Sequence, residues 1–201
     1  MLSQGPLGPH CWPRVPEPFC FAHLAAIKLP AHPSSHPGGY SALTWQVAGT
    51  LNPGLKRRRN EDSLLLDEPN GIVIVADGIG GHPADDVASA EAARAVQESL
   101  TSPGSASGPG ERMAEAVHKA NSTIWEAALE EPEQAGMGTT VTALAVMGEQ
   151  WMVGHVGDSR AYLFRDGRLE RLTRDHTVVQ ELVESGALTV SRRRRGTHCA
   201  T

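Results

Sequence analysis

From residue 41 onward, apolar runs and polar breaks alternate with periods that identify the elements they build. "ALTWQVAGT" (42–50) is rich in β-formers and stops at "NPG"; "SLLLDE" follows, closed by the turn "PNG". "IVIVAD" (72–77) is a continuous β-branched run, the pattern of a buried strand. After a glycine-rich loop the period changes. Val87, Ala88, Ala92, Ala95, Val96 and Leu100 recur at helical spacing among strong helix formers. "TSPGSASGPG" (101–110) reads as a flexible linker. Residues 111–129 predict a second helix, with Met113, Val117, Ile124 and Leu129 on or near one face. Three strands follow in "TTVTALAV", "QWMVGHV" and "SRAYLFR", and Asp166–Gly167 marks a hairpin turn into "RLERL". A last short helix over 177–185 stops at Gly186, a good C-terminal cap. Strands, two helices and strands again predict an α+β fold with an antiparallel sheet and segregated helices.

The two ends break this pattern. Residues 1–39 hold eight of the 14 prolines, four of the nine histidines and a single acidic residue, Glu17. Proline fixes φ and donates no ladder hydrogen bond, so this segment is expected to be a disordered leader, with one or two helical turns at "HLAAIKL". Its histidines (His10, His23, His32, His36) lack the regular spacing of a metal site. The ending "VSRRRRGTHCAT" (190–201) fits no element and reads as a solvated basic tail. The organisation expected is therefore a leader over 1–39, one domain over 40–189 and an unstructured tail over 190–201.

Composition narrows the function classes. With 18 basic against 23 acidic residues the net charge is −5, which argues against a chain built to coat nucleic acid or a membrane. Cys11, Cys20 and Cys199 are odd in number and unpaired in spacing, so neither a disulfide framework nor a cysteine metal cage is indicated. No apolar run approaches the ~18 residues of a membrane span, and no signal peptide is evident. A soluble, monomeric, cytoplasmic protein is the expectation.

Chemistry concentrates at three places. "VADGIGGH" (75–82) sets Asp77 at a strand end, before glycines that let backbone approach closely. A phosphate cradle would need a GKS or GKT, or a full GxGxxG, and none is present. An ionised aspartate at the end of a buried strand calls for a compensating positive charge. A divalent cation answers that need with carboxylate and carbonyl ligands, and an N-terminal helix cap is the plainer alternative. "RRRNED" (57–62) places Glu61 and Asp62 before a strand, beside Arg57, Arg58 and Arg59. Carboxylates for cations next to an arginine fork for phosphate suit metal-assisted phosphate chemistry, although such clusters are usually exposed turns. In "HVGDSRAYLFRDGRLERLTRDH" (155–176), Asp158 again follows a glycine at a strand end, and Arg160 is placed to pair with it across the turn.

The ordered set "GLKRRRNEDS", "VADGIGGHPADDVAS", "MGTTVTAL", "VGDSRAYLFRDG" and "LTRDHTVVQELVESG" resembles the metal-dependent serine/threonine phosphatases of type 2C, in their compact bacterial form. The resemblance runs from about residue 42 to 189. It implies a β-sandwich flanked by helices, a four-layer αββα arrangement, with two or three Mg²⁺ or Mn²⁺ ions. It also implies hydrolysis of phosphoserine or phosphothreonine by metal-activated water. Carried onto these residues, Asp77 bridges two metals, the Gly78 carbonyl is a ligand, and Glu61 and Asp62 act directly or through bound water. On the same basis Asp158 serves a third metal and Arg57 binds phosphate, while Arg58 and Arg59 do not match. Thr139 and Thr140 are expected to be structural, and His82 and His176 to support the site rather than ligate. Phosphorylated proteins, and a cognate serine/threonine kinase with its substrates, are the partners implied.

Two departures stand out. The family usually has glycine where Asp85 stands, which adds negative charge at a helix start, where the helix dipole tolerates it. The pattern also stops near Thr189, whereas the family continues through further strands and acidic motifs. The expectation is an incomplete sandwich with open sheet edges and a weakened metal centre. A non-catalytic phosphoprotein-binding module and a nonfunctional fragment stay open as alternatives.

Overall fold

Two apolar hairpins and two alanine-rich helices account for the buried interior. The structure is a computed structural model that describes residues 23–28, 46–54, 59–79, 84–103, 107–147 and 150–189. Its elements in order are β1 (His23–Lys28), β2 (Gln46–Leu51), β3 (Asp62–Asp67), β4 (Ile72–Asp77), α1 (Asp85–Thr101) and α2 (Pro109–Glu130). After a single 3₁₀ turn at Pro132–Gln134 come β5 (Val141–Met147), β6 (Gln150–Val156), β7 (Tyr162–Arg165), β8 (Arg168–Arg171) and α3 (Val178–Glu184). This is the α+β arrangement that the sequence pattern predicts.

β3, β4, β5 and β6 form one antiparallel sheet in that order. Period-two alternation decides what each face meets. Ile72, Ile74, Val141, Ala143 and Ala145 join α1 and α2 in the main core, with Ile74 fully buried. Polar positions on the same face also reach α1. The Ser63 and Ser89 hydroxyls share a hydrogen bond of 2.9 Å, and the Gln97 amide donates to Asp67 at 2.6 Å. Asp62 and Asp77 belong by alternation to the opposite face, away from the helices.

Helix α1 buries Ala88, Ala92, Ala95, Val96 and Leu100, much as its spacing predicts, while Val87 is exposed. Helix α2 meets expectation at Met113, which is buried, and at Ile124, which packs against the core, and departs from it at Leu129. Its buried residues are Met113, Ala116 and Ala120, and Leu129 is 71% exposed. Small side chains let α2 approach closely. At Gly154 on β6, a Cβ would lie 2.6 Å from the Met113 sulfur.

The segment "HLAAIKL" requires a correction: His23–Lys28 is a strand, not a helical turn. It pairs antiparallel with β2, His23 opposite Leu51 and Lys28 opposite Gln46. A six-residue helix alone is marginal in water, whereas a strand beside β2 satisfies its backbone through a ladder. The remainder of the 1–39 leader and the 190–201 tail lie outside the described residues, as do the three cysteines. Among the described residues, no helix is long and apolar enough to cross a membrane.

The hairpin β7–β8 turns at Asp166 (φ 51°) and Gly167 (φ 74°), the paired left-handed conformations that an Asp-Gly turn supplies. Helix α3 starts at Thr177, whose hydroxyl accepts the Gln180 N–H at 3.2 Å. It ends before Gly186 (φ 76°), the cap predicted for it.

Candidate metal centre

Asp62 opens β3, Asp77 closes β4, and the register places them directly opposite one another. Opposed residues of an antiparallel pair project from the same face with Cβ atoms about 5 Å apart. Two carboxylates therefore share one end of one face, and Asp62 is buried there. Glu61 adjoins them, its carbonyl accepting the Gly78 N–H at 3.1 Å.

Gly78 is fixed by close approach. A Cβ at this position would lie 2.7 Å from the Asp85 carbonyl oxygen and 2.8 Å from that of Glu61. The start of α1 and the entry to β3 close on it from two sides, leaving no room for a side chain.

A third element grips the same loop. Thr140 N–H donates to the Asp77 carbonyl at 2.8 Å, and Thr140 Oγ1 accepts the Asp77 N–H at 3.0 Å. The Thr139 hydroxyl donates to the Asp77 carbonyl at 3.0 Å, and Ile79 N–H donates to the Gly138 carbonyl at 3.0 Å. These backbone bonds straddle the Gly78–Thr139 bridge and use the carbonyls of Asp77 and Gly138 rather than that of Gly78. Asp77 thus has its main chain held at the end of β4.

Asp158 lies exposed on the turn after β6. A relay links that turn to Asp77, because Ser159 Oγ and Thr140 Oγ1 share a hydrogen bond of 2.9 Å. The expected pairing of Arg160 with Asp158 is corrected by the structure. Arg160 forms a bidentate pair with Asp175, Nε at 3.0 Å and Nη2 at 2.6 Å, and Arg171 adds a third contact at 2.7 Å. The Asp175 side chain is only 2% exposed, and a buried carboxylate requires such compensation, whereas exposed Asp158 has water. This pairing raises the Arg160 guanidinium further above its ordinary value.

His155 and His176 meet at 5.0 Å between ring centroids. His155 Nε2 contacts the Arg174 carbonyl at 2.9 Å, so Nε2 carries the proton and Nδ1 accepts from the Thr142 hydroxyl at 2.9 Å. Burial pushes the His155 pKa down, which favours that neutral ring. The ring Nδ1 of His176 accepts the Gly157 N–H at 3.3 Å, and the backbone N–H of His176 donates to the Gly157 carbonyl at 2.7 Å.

Asp62 and Asp77 are therefore brought together, with Glu61 and Gly78 adjoining. Among the described residues, no three His, Cys, Asp or Glu side chains converge into a group able to hold a metal ion, so Asp158 does not complete such a group. Arg57, Arg58 and His82 lie outside the described residues, and Arg59 is exposed. The donor set, two opposed carboxylates beside a backbone loop with no room for a side chain, fits a hard divalent cation. The sequence reading missed the grip of Thr139 and Thr140 on Asp77, and the Asp175 pair. The Thr140 grip joins residues 63 positions apart and the Arg160–Asp175 pair residues 15 apart, separations that no periodic pattern announces.

The family model described as Protein phosphatase 2C matches residues 52–182. The chain belongs to the protein phosphatase 2C family. Over 151 residues it is 39% identical to the serine/threonine protein phosphatase PstP of Mycobacterium tuberculosis, a match covering 73% of this chain and 28% of that protein. The crystal structure of Mycobacterium tuberculosis PstP/Ppp superposes with a TM-score of 0.64 at 32% identity, covering 87% of this chain and 64% of that one. A structure of the PstP catalytic domain in complex with two manganese ions gives 0.62 at 32% identity, covering 85% and 64%. This phosphatase 2C chain thus spans about a quarter of the length of the curated mycobacterial relative and under two thirds of the solved chains.

Proposed function

We propose that the chain serves a Mg²⁺- or Mn²⁺-dependent protein serine/threonine phosphatase, acting on phosphoserine and phosphothreonine in proteins. The observation that carries this reading is the Asp62–Asp77 pair at one sheet end, beside the closed Gly78 loop. The two manganese ions named for the PstP catalytic domain support the choice of metal.

In this reading Asp77 and Asp62 supply carboxylates, Glu61 acts directly or through water, and the Gly78 carbonyl is a further ligand. Asp158 serves a third ion, and Arg57 clamps the phosphate through its guanidinium fork. A bound Mg²⁺ or Mn²⁺ would lower the pKa of water and neutralise phosphoryl oxygens. Thr139 and Thr140 hold the Asp77 backbone, so its carboxylate need not reorganise when charge is bound. The partners we infer are phosphorylated proteins and a cognate serine/threonine kinase, and the location the cytoplasm, with the chain as a monomer.

A second reading, phosphoprotein binding without turnover, is favoured by one observation: among the described residues no three metal-ligating side chains converge. One assay separates the two. Mn²⁺-dependent phosphate release from a phosphothreonine peptide by the 201-residue chain, abolished in Asp77→Asn, is the result expected for the phosphatase. Saturable peptide binding with no release would transfer support to the second reading. Absence of both Mn²⁺ and peptide binding would overturn each of them.

A further inference from the structure

Asp85 is the most deeply buried acidic residue among those described, 1% exposed. A carboxylate at that depth is costly unless hydrogen bonds and positive potential compensate it. The start of α1 supplies the potential, since Asp85 is its first residue. A hydrogen bond comes from across the fold, with Gly138 N–H donating to Asp85 Oδ1 at 3.3 Å.

That bond lies at the head of the segment gripping Asp77. Gly138 accepts the Ile79 N–H, and Thr139 and Thr140 bind the Asp77 backbone. The Asp85 main chain meanwhile presses on the other strand of the same grip, its carbonyl oxygen 2.7 Å from where a Gly78 Cβ would sit. Met137, just before Gly138, is buried with Ala84 and Ala88 at the same helix start. Backbone of Asp85 meets Gly78, and its side chain meets Gly138; one residue spans both halves of the loop.

We propose that Asp85 is a positioning residue: it fixes the Gly138–Thr140 segment against the start of α1 and thereby sets where Asp77 and Gly78 present their oxygens. This rests on the reading of Asp77 and Gly78 as metal-binding, but its first test does not. Asp85→Asn keeps an oxygen acceptor for Gly138, whereas Asp85→Ala removes it.

Amide hydrogen exchange in the metal-free chain reads the grip directly. The Ile79 and Thr140 amides, which donate into it, are expected to exchange about tenfold faster in Asp85→Ala, as loss of one hydrogen bond implies. The Ile74 and Ala143 amides in the core strands are expected to hold their protection, and Asp85→Asn to restore most of the difference. Mn²⁺ affinity measured by calorimetry should weaken in parallel, again about tenfold for alanine and little for asparagine. Unchanged exchange at Ile79 and Thr140 would overturn the proposal. So would equal acceleration through β4 and β5, which marks a general loss of stability. Should the alanine variant fail to fold, Asp85→Gly removes the same acceptor and is read in the same way. If the unmodified chain binds no Mn²⁺, the metal reading falls, while the exchange pattern still decides whether Asp85 holds the loop.

Discussion

The sheet β3–β6 with its two helices and the segment from Gly157 to Thr189 are stabilised by different means. In the first, Ile72, Ile74, Val96, Ala116 and Ala143 exclude water from a continuous apolar core. In the second, the buried residues are Thr173 and Asp175, both polar, while Phe164, Leu169, Leu172 and Val178 are exposed. Its order comes from hydrogen bonds. Arg160 and Arg171 converge on Asp175, Thr173 Oγ1 accepts the Ala161 N–H at 3.0 Å, and His155 ties Thr142 to the Arg174 carbonyl. Apolar packing against the helices sets β3 and β4, to which the Thr139 and Thr140 hydrogen bonds add their hold on Asp77, and a polar network sets the turn that carries Asp158. The first should depend chiefly on apolar burial, and the second should answer more to salt.

The largest test of this difference is a matched pair of truncations. Ile74→Ala in the buried face is expected to lose about 4 kcal/mol, against 0.5 kcal/mol or less for exposed Leu169→Ala, by roughly the usual scales. Equal losses in chemical denaturation would show one uniform core and end the comparison. Next in size is Gly78→Ala. Its Cβ would press on two backbone carbonyls, and a loss of about 3 kcal/mol is expected, with weakened Mn²⁺ binding. A variant with unchanged melting and unchanged Mn²⁺ titration would mean that the loop is not closed as described.

Asp175→Asn sharpens the other side. Removing the charge from the Arg160–Asp175–Arg171 group should cost about 2 kcal/mol and raise amide exchange over 157–176 alone. Spread of that effect into β3–β4 would show the two regions to be one. The smallest effect concerns pH. The folded His155 sits below its ordinary pKa because burial disfavours the charged ring. Its contribution is therefore present above the unfolded value, near 6.5, and is lost as pH falls through the lower folded value. Protection of the His176 amide, corrected for intrinsic exchange, is expected to fall as pH is lowered below about 6.5. His155→Asn should remove that dependence, and a pH-independent profile in the unmodified chain would contradict it.

Much of this was legible in the residues. The β-branched run of β4, the alanine spacing of α1, the Asp166–Gly167 turn and the Gly186 cap are local signals, and local physics carried each into the fold. Strand β1 was not legible, because its partner β2 lies across a proline-rich stretch and only pairing makes it a strand. The buried face of α2 was legible only in part, through Met113 and Ile124. Leu129 was expected on that face but is exposed, while the small side chains of Ala116 and Ala120 are buried. At the site, Asp62 and Asp77 stood out as acidic residues at strand ends. What holds the Asp77 backbone did not, because Thr139 and Thr140 act through tertiary hydrogen bonds that no spacing encodes. Arg160 shows the limit most plainly: the nearby aspartate was exposed, and the buried one, 15 residues on, had the greater need of a partner.

The connection between β4 and β5 has a kinetic meaning. β3 and β4 are joined by the turn Glu68–Gly71, so Asp62 and Asp77 can meet as a local hairpin within microseconds, ~1–10 μs for such elements. Thr140 reaches Asp77 only after 63 residues, both helices among them, have been gathered in. A refolding chain should therefore own its pair of carboxylates before it owns the grip that aims them. Higher φ-values for Leu65→Ala than for Thr140→Val, which removes the gripping hydroxyl, would record that order, and the reverse ranking would refute it.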